Sequence, residues 1–157
     1  MLERIPCNIE AEESILGAML YSHAAIPSAQ ALLVPEDFYH EGHRVIYRAL
    51  LELYAEGKPT DHTVLVDRLK KSGQLDMVGD RAYLLSLEDT CPNPNNAKHY
   101  ASLVKEAALR RQLADAGYSI ANVAHMESDD VRISPSAPLF APVSELEDEF
   151  GSNPNAL

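Results

Sequence analysis

The sequence has no tryptophan and only three phenylalanines and seven tyrosines in 157 residues. Its core must therefore be built from Leu, Ala, Val and Ile, a mix that favours helices over sandwich-type sheets. Cysteine is scarce too. Cys7 and Cys91 stand far apart and form no CxxC pair, as expected of two reduced thiols in a cytoplasmic protein. No apolar run approaches the roughly 20 residues needed to span a bilayer. The first twelve residues hold three acids and no apolar stretch, so no signal peptide and no membrane partner are expected.

Catalytic signatures are missing as well. A phosphate-cradling loop needs GxxxxGK[ST] after a strand, and the nearest approach is Glu56-Gly57-Lys58-Pro59-Thr60, where Pro59 removes a donor. Neither GxGxxG nor GxSxG occurs. His40-Glu41-Gly42-His43 suggests a metal motif, but HExxH places its histidines at i and i+4, and these are three apart with glycine between. They are read as polar loop and helix-start histidines. Neighbouring acids such as Glu12-Glu13 and Glu88-Asp89 are read as cap charges, so the expectation is no catalytic residue, no metal and no cofactor in this chain.

Positive charge is also in short supply. The net charge is −11, and residues 127–157 carry one arginine against seven acids. Duplex affinity comes largely from Lys and Arg displacing counterions, so direct DNA binding is not expected. The basic pairs Lys70-Lys71 and Arg110-Arg111 lack the aromatic interleaving of a single-strand platform. They read as solvated faces or helix-end charges, or, for Arg110-Arg111, as ion pairs across a helix–helix contact.

What is present is helical punctuation. Asn8 caps a predicted helix over 9–21 with acids in its first turn. A second is expected over 24–33, with Pro27 in its first turn and a stop before Pro35. Pro35-Glu36-Asp37-Phe38-Tyr39 reads as a connection that brings both aromatics to the core. Ile46, Ala49, Leu50 and Leu53 mark a third helix over 42–56, ended by Gly57. Asp61 caps a fourth that ends in Lys70-Lys71-Ser72-Gly73, and a fifth over 80–89 turns Tyr83, Leu84 and Leu87 inward. Cys91-Pro92-Asn93-Pro94-Asn95 breaks the chain before the longest helix, 96–125. Its apolar stripe begins as Ala97, Ala101, Val104 and Ala108, then steps round to Leu109, Leu113, Ala116, Ile120 and Val123. Such a helix spans about 45 Å, more than a core this size covers, so its second half needs another chain or a segment folding back. Pro135, Pro138 and Pro142 mark 127–157 as an acidic linker or tail.

Several stretches, in order, carry a resemblance. They are Ile5-Pro6-x-Asn8-x-Glu10-Ala11-Glu12-x-Ser14-Ile15-Leu16-Gly17, then Pro35-Glu36-Asp37-Phe38-Tyr39 and His43-Arg44-Val45-Ile46-Tyr47. Gly57-Lys58-Pro59-x-Asp61, Gly79-x-x-Ala82-Tyr83-Leu84, Asn95-Asn96-Ala97-x-x-Tyr100-Ala101-x-x-Val104-Lys105-Glu106 and Leu109-Arg110-Arg111 follow. Collinear over residues 4–125, they resemble the N-terminal domain of DnaB-type replicative DNA helicases. The resemblance implies an all-α fold: a compact orthogonal helical bundle over 1–95, then a long helix over 96–126 as the first limb of a helical hairpin. In the family such domains pair through their hairpins into a trimer of dimers, and the same layer docks the primase C-terminal domain or a helicase loader.

The implied interface candidates are Tyr100, Val104, Leu109, Arg110, Arg111, Leu113, Ala116, Ile120 and Val123. ATP and magnesium belong to the family's C-terminal ATPase domain, whose Walker A loop this sequence lacks. The function implied is a non-catalytic docking and oligomerisation module in DNA replication. The alternative is a domain-only regulator that competes for helicase subunits or loader. The prolines at 135, 138 and 142 depart from the family pattern, because they fall where the second hairpin limb is expected.

Overall fold

The computed structural model describes residues 4–126, so the acidic tail expected over 127–157 lies outside the described residues; those described fall into two units that part after Arg111. Among the described residues there are seven α-helices and no strand. They are α1 (Ile9–Tyr21), α2 (Ala25–Gln30), α3 (Glu41–Ala55), α4 (His62–Lys71), α5 (Leu75–Val78), α6 (Arg81–Thr90) and α7 (Ala97–His125). Short 3-10 turns at Pro35–Asp37 and Pro94–Asn96 introduce α3 and α7. The first unit runs past the expected boundary at residue 95, because Ala97, Ala101, Val104, Ala107 and Ala108 of α7 are buried.

Local chemistry sets the helix starts. The Asn8 side chain accepts from the Ala11 N–H at 3.0 Å, Asp61 accepts from Thr63 and Val64 N–H, and Asp80 accepts from Tyr83 N–H at 2.8 Å. α3 ends in a left-handed Gly57 (φ +70°), with the Lys58 N–H donating to the Leu53 carbonyl at 2.9 Å. α2 is shorter than its pattern, stopping at Gln30. α5 has no counterpart among the expected elements.

α1 is the hub of the first unit. Ile15, Leu16, Ala18 and Met19 are fully buried, and the helix packs against α6, α3 and α2. Burial on nearly every side demands a close neighbour, and Gly17 supplies the room for one: a Cβ there would come within 2.1 Å of the Leu87 carbonyl of α6. Ile46, Leu50 and Leu53 of α3, Leu65 and Leu69 of α4, and Leu84 and Leu87 of α6 complete the core. Phe38 is buried against Tyr47 with ring centroids 4.8 Å apart. Its neighbour Tyr39 is 40% exposed, so only one of the two aromatics expected in the core enters it.

Polar groups also meet inside this core. Tyr47 donates its hydroxyl to the Leu33 carbonyl at 2.9 Å. Glu12 and His43 are buried at 1% and 0% exposure. Glu12, in the first turn of α1, is therefore more than the cap charge expected of it, and His43 stands at a helix start, as read, but inside the core. Burial of a carboxylate and an imidazole is tolerable because each finds the other, with His43 Nδ1 2.6 Å from Glu12 Oε2.

Gly17→Ala should destabilise the fold by about 2 kcal/mol or more through overpacking, read as a lowered urea midpoint. Burial, with Asp37 nearby, pushes the Tyr47 phenol up to about 12. Burial, with Glu13 and Glu12 nearby, does the same for Tyr83. The folded chain thus holds two protons that an unfolded one loses near pH 10. This contribution to stability is complete below about pH 10 and is lost as pH rises toward 12. Alkaline melts should therefore show a stability decline that the Tyr47→Phe, Tyr83→Phe double variant flattens.

Candidate protein-docking surface

α7 takes two environments in turn. Over its first three turns the small side chains of Ala97, Ala101 and Ala108 let its backbone approach the core, with Val104 between them at 1% exposure. Val104 therefore has no surface to offer a partner, which corrects its place among the interface candidates. Tyr100 is half-buried and packs against the same core.

Two cations tie this part of α7 to the Pro35–Asp37 turn. Lys105 Nζ lies 3.3 and 3.1 Å from the two carboxylate oxygens of Asp37, which is 2% exposed. The same carboxylate accepts the Val34 N–H at 2.9 Å, so Asp37 both shapes its turn and holds the helix. Arg111 donates to the Pro6 carbonyl at 3.0 Å and to the Asp37 carbonyl, and its guanidinium sits 5.6 Å from the Tyr39 ring centroid. Arg111 is thus an anchor within the first unit and not a free interface cation. Arg110 is exposed and pairs with Glu106 one turn back at 2.8 Å. Asp37, Lys105 and Tyr39 were absent from the expected site. Nothing in their spacing marks them, because the contacts bridge 68 to 74 positions.

The apolar residues beyond face outward. Leu109, in the first unit, is 52% exposed. In the second unit Leu113 and Ile120 are 62% and 45% exposed, while Ala116 and Val123 are half-buried. Tyr118 and Met126 add two more exposed side chains that the stripe did not include. Single exposed apolar side chains are ordinary on a protein surface; a row of them is the feature that a packing partner would cover.

Elsewhere the charges answer one another. In the depression lined by α3 and α4, Arg68 and Lys58 both pair with Glu56 and hold its carboxyl down to about 2, and Lys71 pairs with Asp67 at 2.6 Å. Among the described residues no three His, Cys, Asp or Glu side chains converge as a metal site would require. No helix among them is long and apolar enough to cross a membrane.

Fold and surface together define an all-helical domain whose buried polar groups are spent on its own structure. A family model described as the DnaB-like helicase N-terminal domain matches residues 4–106. The replicative DNA helicase DnaB of Geobacillus stearothermophilus is 36% identical over 132 residues, covering 83% of this chain and 29% of that protein. The DnaB of Nostoc sp. is 40% identical over 128 residues, covering 82% and 15% respectively. The crystal structure of the DnaB N-terminal domain from Mycobacterium tuberculosis aligns with a TM-score of 0.77 at 38% identity, covering 78% of this chain and 89% of that one. The N-terminal domain of Helicobacter pylori DnaB shares the fold, with a TM-score of 0.66 at 22% identity over 74% of this chain and 91% of that one. The chain belongs to the DnaB-like helicase N-terminal domain family. It spans less than a third of the Geobacillus helicase, and the part that the family model matches is the N-terminal domain.

Lys105→Met should cost about 1–2 kcal/mol, less than the roughly 3–5 of a fully buried pair, because Lys105 is 35% exposed. Adding Asp37→Asn should recover part of that loss, since the damage comes from leaving a buried carboxylate unpaired. Thermal melts of the single and double variants check both statements.

Proposed function

We propose that this chain is the docking and oligomerisation module of a replicative DNA helicase. It pairs with copies of itself through the outer part of α7 and recruits primase or a helicase loader. The observation that carries this is the exposure of Leu113 and Ile120 on the second unit's helix. With Ala116 and Val123 they recur at intervals of three, four and three residues, the seam along which two helices wind together. Covering them with a second helix gains roughly 25 cal/mol per Å² of apolar area, against the entropy cost of association.

Two further findings support the reading. The Helicobacter pylori relative, alike in fold, is described with its interactions with primase. The chain itself is acidic and has no phosphate-cradling loop, so it suits a role beside the motor rather than on the DNA. ATP and magnesium would then act in the ATPase part of such a helicase.

Light scattering over a concentration series should show self-association. Leu113→Asp should weaken it at least tenfold, about 1.4 kcal/mol, with circular dichroism unchanged. A protein that stays monomeric at every concentration, or a variant that associates like the parent, would overturn the pairing.

A further inference from the structure

α7 runs from Ala97 to His125 as one helix, but its two parts are held by different means. Up to Arg111 the fold holds it. Ala97, Ala101, Val104 and Ala108 are buried, Lys105 is fixed to the Asp37 carboxylate, and Arg111 donates to the Pro6 and Asp37 carbonyls. The two units part at the same point. Of residues 112–126 only Ala114, Ala116 and Val123 are even half-buried, so helix propensity and backbone hydrogen bonds must carry most of that part.

The sequence there is poorly suited to it. Eight of the eleven residues 115–125 rank below Ala, Leu, Lys, Arg and Glu as helix formers, against four of the fifteen over 97–111. Gly117 is the weakest of them. A Cβ there would meet nothing within 4 Å, so no close packing inside the chain calls for glycine. Asp115 is the one Asp, Glu, Lys or Arg over 112–126, so no pair of opposite charges braces successive turns within that stretch.

We infer that α7 orders in two stages: the fold fixes it up to Arg111, and the remainder becomes stably helical only when a second copy covers its apolar seam. This rests on the self-pairing proposed above and adds that pairing and helix formation are one event. A second copy suits the seam. Leu113, Ala116, Ile120 and Val123 recur at the spacing of two helices winding together, and they carry no charge to repel their own image. Asp115 lies roughly a third of a turn off that line. One charged residue in fifteen, against 24% in the whole chain, is also too little for a stretch that stays in water. The ordering cost then falls on both chains at the moment of pairing. Affinity is set in part by the helix propensity of residues that never touch the partner.

Amide hydrogen exchange of the full chain tests this, read by mass spectrometry on either side of the concentration at which light scattering shows pairing. Amides over 101–111 should stay protected throughout. Those over 116–125 should exchange about tenfold or more faster in the monomer than in the pair. Gly117→Ala should tighten pairing about tenfold, since both chains gain helix propensity. Asn122 is exposed and lies roughly half a turn round from Leu113 and Ile120, so a side chain there does not disturb the seam. Asn122→Ala should tighten pairing about fivefold. Outer amides as protected in the monomer as the inner ones would overturn the inference and leave the pairing standing. So would an Asn122→Ala chain that pairs no more tightly than the parent. A chain that associates at no concentration would overturn both.

Discussion

The rest of the first unit is arranged around one buried carboxylate. Glu12 lies at 1% exposure in the first turn of the most deeply buried helix, where an unanswered charge would cost more than the domain's whole margin of stability. The backbone N–H groups of Tyr39 and His40 and the ring of His43 answer it. That requirement places the start of α3 against α1, and His43 in turn reaches Tyr83 on α6. Helices distant in sequence are thereby given a register that apolar packing alone specifies poorly.

Close approach does the complementary work. Gly17 allows α6 to lie against α1, and Ala97, Ala101 and Ala108 allow α7 to lie on the core beside them. Small side chains bury little area themselves. Their contribution is to let Leu84, Leu87 and Val104 reach full burial between closely spaced backbones. The Asp37 turn then holds α7 from outside, through Lys105 and Arg111. One helix thus carries a part anchored to the core and a part whose apolar side chains stay exposed.

Much of this was legible before any coordinates. Asn8 and Asp61 announced their helices, and Gly57 announced a stop, because capping is local chemistry within four or five residues. α5 was not legible: four residues are too few for a period to show. Tyr39 was expected inside with Phe38, as the second aromatic of the 35–39 connection, yet it is 40% exposed with the Arg111 guanidinium 5.6 Å from its ring centroid. The step of the apolar stripe from Ala108 to Leu109 was legible, but both Val104 and Leu109 were interface candidates, and the structure puts one in the core and leaves the other exposed.

By itself the sequence determined the all-α class, the order and ends of the long helices, and the family. Each depends on residue type and spacing along the chain, which local sterics and capping translate directly into structure. Only the tertiary structure decided that Glu12 and His43 are buried partners, that Arg111 is an anchor, and that Leu113 and Ile120 remain in water. The physical reason is the same in each case. Whether a polar group is tolerated inside, or an apolar one is left outside, depends on which distant element comes to lie against it. Periodicity on a single helix records the faces and not their neighbours.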